Sequence, residues 1–121
     1  MGIGIIEVSH VNVTVPAALE QAAKHFYGEV IGLKQIPKPE GPRQFVGAWY
    51  ELGNSQLHLS VEEDPQNAGS SRHICYGVAD LAVAEQVLRD AGIEIIPDPL
   101  RRFFVRDPAG NLIEITERRA G

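Results

Sequence analysis

Four side chains of metal-binding type recur at matching places in this sequence. His10 and His73 each lie in the first strand-like segment of a half of the chain, and His58 and Glu114 each lie in the last such segment of a half. Imidazole and carboxylate groups together bind zinc, nickel, cobalt, iron and manganese. Such an ion acts as a Lewis acid on a substrate oxygen. We therefore predict one divalent metal ion (Zn, Ni, Co, Fe or Mn) held by His10, His58, His73 and Glu114.

The strand phase of each candidate supports a shared site. In the segment "RHICYGV" (72–78), the residues Ile74, Tyr76 and Val78 form an apolar phase, and His73 lies on the opposite, mixed phase. The other three candidates follow the same alternation. Taken singly, each residue is also compatible with a structural role in a strand or at a loop boundary. Because all four lie on the mixed phase of a repeated pattern, a lined cavity is favoured over a solvated surface.

The elements that must position these side chains form a repeat. Residues 5–61 are predicted to form a strand, a helix and three strands, with the first strand from residue 5 and the third from residue 43. Residues 72–118 repeat that order after a polar linker at 62–71. Asp80 is a candidate N-cap of the second helix, and Gly32 and Gly92 are candidate ends of the two helices. The chain is thus predicted to be α+β, with two βαβββ modules in a single domain over residues 1–121 and the helices on the apolar side of the sheet.

Composition restricts the partners. The chain has 121 residues, one cysteine and a net charge of −5, which argues against a nucleic-acid partner. No apolar run is long enough to cross a membrane, and the first residues lack the features of a signal peptide. A single cysteine is compatible with a reducing compartment, so we expect a cytoplasmic protein that acts on a small molecule.

The end of the chain carries the most specific resemblance. The segment "DPAGNLIEI" matches the Asp-Pro-x-Gly-Asn-x-x-Glu ending of the vicinal oxygen chelate superfamily, and the repeated βαβββ order and the first-strand histidines agree with it. This superfamily includes glyoxalase I, extradiol dioxygenases and bleomycin-binding proteins. The resemblance implies one incomplete-barrel sheet around a metal ion, a homodimer, and ligands at His10, His58, His73 and Glu114.

The implied activity is that of a metal-dependent, glyoxalase-like lyase or isomerase. Glyoxalase I has Glu where this chain has His58, so this imidazole is a candidate ligand, a candidate catalytic base, or both. Two alternatives stay open: a bleomycin-resistance-like protein that binds a small molecule without turnover, and an extradiol-type dioxygenase.

Further residues are candidates for the lining of the pocket. Strand phase places Trp49, Arg102 and Phe104 where they would contact substrate, although a core position for Trp49 and a surface position for Arg102 are also compatible with the sequence. Arg102 would hold a carboxylate or phosphate, and Trp49 would cover an apolar group. His25 is predicted to lie on the first helix without a chemical role, and Cys75 has no assigned role.

Overall fold

The computed structural model describes residues 1–118, and its strands form two four-stranded mixed sheets of identical topology. The strand orders are β1-β4-β3-β2 and β5-β8-β7-β6. In each sheet the first and last strands of the module are parallel, and the remaining pairs are antiparallel. The strands are β1 (His10–Val15), β2 (Gln35–Ile36), β3 (Ala48–Leu52), β4 (Ser55–Val61), β5 (His73–Val78), β6 (Ile96–Pro97), β7 (Arg102–Arg106) and β8 (Leu112–Glu117).

This architecture confirms the predicted α+β class with two βαβββ modules. The described strands are paired only within their own module, so the incomplete barrel consists of two separate sheets and is not closed. Residues 119–121 of the predicted domain lie outside the described part of the chain. No helix within residues 1–118 is long and apolar enough to cross a membrane.

The helical segment of the first module is irregular. A 3₁₀ turn at Ala17–Leu19 leads into helix α1 at Glu20–His25, and a π-helical turn follows at Phe26–Val30. The wide turn lets two consecutive aromatic residues, Phe26 and Tyr27, both face the core.

The helix of the second module, α2 (Leu81–Asp90), is regular. Asp80 caps it as predicted, because its Oδ1 accepts the backbone N–H of Val83 at 3.1 Å. Gly32 and Gly92 have φ angles of +84° and +78°, the left-handed conformation expected just after a helix. His25 is exposed on α1, as expected.

Two predicted strands begin later than the sequence suggested. A strand from residue 5 was wrong, because β1 begins at His10, whose register partner Gln56 lies at the start of β4. The preceding residues run past the hairpin turn and find no neighbouring strand. The strand predicted from residue 43 begins only at Ala48, since Gly47 has a φ of +71° and donates its N–H to Glu20 Oε2 at 2.9 Å.

The two modules share one apolar core. The helical residues Phe26 and Tyr27 pack in the same cluster as side chains from the second sheet. The buried members from both modules are Val15, Ala23, Phe26, Tyr27, Ala48, Tyr50, Leu57, Leu59, Leu88, Phe103, Val105, Ile113 and Ile115.

A buried polar network joins the modules beside this core. The Tyr27 hydroxyl donates to Asp107 Oδ2 at 2.7 Å, across 80 residues of sequence. Asn111 donates through Nδ2 to the same carboxylate at 2.8 Å and to the carbonyl of Thr14 at 3.1 Å. Asp107 and Asn111 belong to the "DPAGN" turn, so this motif serves to fasten the β7–β8 hairpin to the first module.

Candidate functional site

The second sheet brings His73 and Glu114 together. The parallel register of β5 and β8 places Cys75 opposite Glu114, and His73 reaches across the same face of the sheet. His73 Nε2 lies 3.2 Å from Glu114 Oε1, and His73 Nδ1 lies 2.9 Å from the carbonyl oxygen of Ser71. Because a carbonyl only accepts, His73 Nδ1 carries a proton, and the Nε2 atom is directed at a carboxylate oxygen.

This arrangement suits a shared cation. When Nδ1–H is bonded to a carbonyl, the neutral ring has its lone pair on Nε2, and two acceptors then face each other at 3.2 Å. Such a contact is favourable only when a proton or a metal ion is bound by both His73 Nε2 and Glu114 Oε1. A ligating histidine whose other nitrogen donates to a backbone carbonyl is the usual arrangement at metal centres. The donor set of His73 and Glu114 therefore fits a divalent ion.

Arg102 and Phe104 line the same face. Arg102 Nη1 lies 3.4 Å from Glu114 Oε2, and its Nε lies 3.1 Å from Asp98 Oδ1. The guanidinium carbon lies 5.5 Å from the centroid of the Phe104 ring, whose edge-to-face contact with His73 has a centroid distance of 5.8 Å. Arg102 lowers the pKa of Asp98 through this contact. Strand phase predicted the side of the sheet correctly, but nothing in the local sequence indicated Asp98 as the partner.

Cys75 lies exposed on this face, next to Glu114. Partial desolvation of the Cys75 thiol is the largest cause that raises its pKa, and the neighbouring Glu114 carboxylate raises this pKa further. The thiol form is therefore favoured over the nucleophilic thiolate.

The first sheet brings three rings into one stack. The His58 ring lies between Trp49 and His10, with a centroid distance of 4.0 Å on each side and interplanar angles of 1° and 15° respectively. Register explains the stack, since Trp49 is directly opposite His58 in the antiparallel β3–β4 pair. The flanking rings leave only 8% of His58 exposed, whereas His10 is exposed.

A hydrogen bond fixes the orientation of His58. Its Nε2 lies 2.8 Å from Gln56 Oε1, two residues earlier on β4. Burial lowers the pKa of His58, and the nearby His10 and Lys38 lower it further, so the neutral ring is favoured. Gln56 was not a predicted site residue. The sequence feature that could have indicated it is its position two residues before His58, which puts both side chains on the same face of β4.

The four candidate ligands form two pairs, not one cluster. His10 and His58 lie on the first sheet, and His73 and Glu114 on the second. Within the part of the chain that the structure describes, no three His, Cys, Asp or Glu side chains come together in a way that would hold a metal ion. A single chain thus presents two half-sites.

A cavity of about 320 Å³ with mixed polar and apolar lining lies where the modules meet. His73 and Arg72 line it from the second module, and Asn12 and Thr14 from the first. The buried Tyr76 hydroxyl, on a residue that also lines this cavity, has no hydrogen-bond partner within the described residues. Burial raises the pKa of Tyr76 to about 12, so this phenol is neutral.

Comparisons with known proteins agree with this architecture. A family model for the Glyoxalase/Bleomycin resistance protein/Dioxygenase superfamily matches residues 8–115. A solved structure described as a glyoxalase family protein from Bacillus anthracis is 38% identical, covers 98% of this chain and 100% of its own, and superposes with a TM-score of 0.86.

More distant structures share the fold alone. A lactoylglutathione lyase from Agrobacterium tumefaciens is 22% identical, with 92% of each chain covered and a TM-score of 0.68. An antibiotic binding protein from Streptomyces sp. CB03234 is 20% identical, with 96% of this chain and 98% of that chain covered and a TM-score of 0.71. Among curated proteins no match was found. The extent of the family match and the identity to the Bacillus anthracis protein establish that this chain belongs to the Glyoxalase/Bleomycin resistance protein/Dioxygenase superfamily.

Proposed function

We propose that this protein is a metal-dependent, glyoxalase-like enzyme with lyase or isomerase chemistry on a small substrate that chelates through oxygen. The observation that carries the proposal is the contact between His73 Nε2 and Glu114 Oε1 at 3.2 Å, with the other ring nitrogen of His73 bonded to Ser71. That pair has the donor types and the backbone support that two ligands of one divalent ion would need.

A third ligand has to come from the other sheet. We propose that the protein is a homodimer in which His10 of one subunit meets the His73–Glu114 pair of the other. The basis is that, within residues 1–118, one chain brings the candidate ligands together only in pairs. His10 and His73 are both exposed, so a second subunit can reach them. The segment before His10 adds support, since its apolar side chains Ile3, Ile5, Ile6 and Val8 are 91%, 77%, 93% and 64% exposed. Burying such residues against a second subunit is favourable.

The chain's own residues supply the rest of the chemistry. A bound divalent ion would stabilise negative charge that develops on a substrate oxygen. His58 is the candidate base, because its pKa is lowered and the ring is neutral, with Nδ1 left as the acceptor while Nε2–H is bonded to Gln56. Arg102 and Phe104 border Glu114 and His73, where they would contact the substrate.

Metal content tests the first part of the proposal. We expect purified protein to take up about one divalent ion per chain, as judged by elemental analysis after supplementation. A panel of oxygen-chelating substrates should then reveal turnover that chelators abolish. If the protein binds small molecules but neither metal nor turnover is found, the alternative of a binding protein without turnover is supported. Iron dependence with oxygen consumption on a catechol would instead support a dioxygenase.

Subunit complementation tests the second part. His10→Ala and Glu114→Ala should each abolish metal binding. When the two variants are co-expressed with different tags and the mixed dimer is isolated, one of its two sites combines the intact His10 of one subunit with the intact Glu114 of the other. We therefore expect about half of the wild-type metal content in the mixed dimer. A site built within one chain would recover none, because every site would carry one substitution.

A further inference from the structure

We propose that Trp49 and Gln56 hold His58 outside the metal coordination sphere, so that the first sheet supplies a single ligand, His10. Trp49 and Gln56 are then positioning residues that act through His58, and Trp49 is not a substrate contact. The ligand set becomes His10, His73 and Glu114. This inference rests on the proposed function, since it concerns the same metal site.

The stacked geometry separates the two imidazoles as ligands. A histidine nitrogen binds zinc in the plane of its ring, at about 2.0–2.1 Å. The His10 and His58 rings are 4.0 Å apart and inclined by only 15°. Two nearly parallel planes at that separation do not meet within coordination distance of both rings. One ring has to leave the stack before both can bind the same ion.

The contacts of the two rings decide which one is free to turn. His10 is exposed, and within residues 1–118 its one side-chain hydrogen-bond contact is Ser9 Oγ at 3.3 Å. His58 is covered on one face by the parallel Trp49 indole and on the other by His10, and only 8% of it is exposed. Rotation of His10 costs one stacking contact, whereas rotation of His58 breaks stacking on both faces and a hydrogen bond.

The hydrogen bond also occupies the outward nitrogen of His58. Gln56 Oε1 accepts from Nε2–H at 2.8 Å, so that nitrogen carries a proton and only Nδ1, within the stacked ring, keeps a lone pair. The Gln56 side chain is half-buried on the same strand face as His58. Stacking and hydrogen bonding therefore act on the same ring in the same direction.

The test compares two histidines on the same sheet. Zn²⁺ affinity is measured by competition with a chromophoric chelator for the wild-type protein, His58→Phe and His10→Ala. His58→Phe keeps an aromatic ring in the stack, and we expect its affinity to stay within about threefold of wild type. His10→Ala should lose more than about a hundredfold, which exceeds the usual cost of losing an outer-shell partner. An equal loss in both variants would overturn the inference.

Two further variants test the positioning residues. Gln56→Ala and Trp49→Ala should release His58 to bind the ion, and Zn²⁺ affinity should rise by at least about threefold as a fourth ligand becomes available. The rise should vanish when either change is combined with His58→Phe. A rise that persists in the combined variant, or a fall in affinity in the single variants, would contradict the positioning role. Asn12→Ala, on the neighbouring strand, is the control and should leave affinity unchanged.

Spectroscopy separates this inference from the proposed function. Trp49 is the only tryptophan of the chain, so its emission reports on the stack directly. If His58 stays in place, saturating the wild-type protein with Zn²⁺ should leave the emission maximum unchanged, and the visible spectrum of the Co²⁺ form should be the same in His58→Phe. His58→Gln replaces His58→Phe if the latter does not fold, as judged by circular dichroism. A wild-type protein that binds no divalent ion would overturn the proposed function and this inference with it.

Discussion

Removing one hydroxyl from the buried Tyr27–Asp107 contact should measurably destabilise the fold. The Tyr27 hydroxyl is 2.7 Å from Asp107 Oδ2, and both residues are at most 4% exposed. Hydrogen bonds to charged groups contribute about 1.5–3 kcal/mol, so Tyr27→Phe should lower the free energy of unfolding by about 2 kcal/mol. For a chain of this length that corresponds to a fall in Tm of about 5–10 °C.

The assay is urea denaturation in EDTA, at fixed protein concentration, so that neither metal nor a change in association enters the comparison. Tyr50→Phe is the matched control. Tyr50 is also buried in the core, but its hydroxyl reaches only the carbonyl of Lys24 at the long distance of 3.5 Å. The control should lose less than about 0.5 kcal/mol. Equal losses in the two variants would refute the claim that the Asp107 contact is the source of the stability.

Three further outcomes follow from local features. Burial lowers the pKa of His58 in the folded chain below the value of about 6.5 expected in the unfolded chain. The stability that the neutral His58 ring contributes above about pH 6.5 should therefore be lost as the pH falls through the lowered pKa. Urea midpoints at pH 7.5 and 5.5 should differ less in His58→Phe than in wild type. Asp80→Ala removes the cap of α2 and should cost about 1 kcal/mol in the same assay. Gly47→Ala should prevent folding, because a Cβ there would lie 2.0 Å from the carbonyl oxygen of Leu59, whereas Gly53→Ala, also at a positive φ but in open space, should yield folded protein with a smaller loss.

Periodicity was sufficient for much of the fold. Alternation along short strands placed His10 in β1 and His73 in β5, and capping chemistry located α2 with Asp80 at its start. These features depend on neighbours within a few residues, which a single sequence displays. The strand limits were less accessible: β1 begins opposite the start of β4, and the paired residues His10 and Gln56 are far apart in the sequence.

The internal geometry of the candidate site was beyond sequence reasoning. The order of elements put Trp49 and His58 in the two strands of one hairpin. Their parallel stacking, however, depends on cross-strand register and on rotamers that no local pattern encodes. The Asp107 network likewise joins residues 80 positions apart. The "DPAGN" motif was evident in the sequence. Its hydrogen-bond partner Tyr27, however, lies in the π-helical turn after α1, where the sequence shows only another aromatic residue of a helical segment.

The dependence of the first helix on the last hairpin has a consequence for biosynthesis. Tyr27 reaches its hydrogen-bond partner only after Asp107 has been synthesised, and Phe26 packs in a core that includes Ile113 and Ile115. While the chain emerges from the ribosome, the first module therefore lacks both the Asp107 acceptor for Tyr27 and the apolar side chains of the second module that pack against it. Residues up to Ile115 have to leave the exit tunnel before either module can reach its final packing, so the unpacked first module is exposed to chaperones and proteases until then.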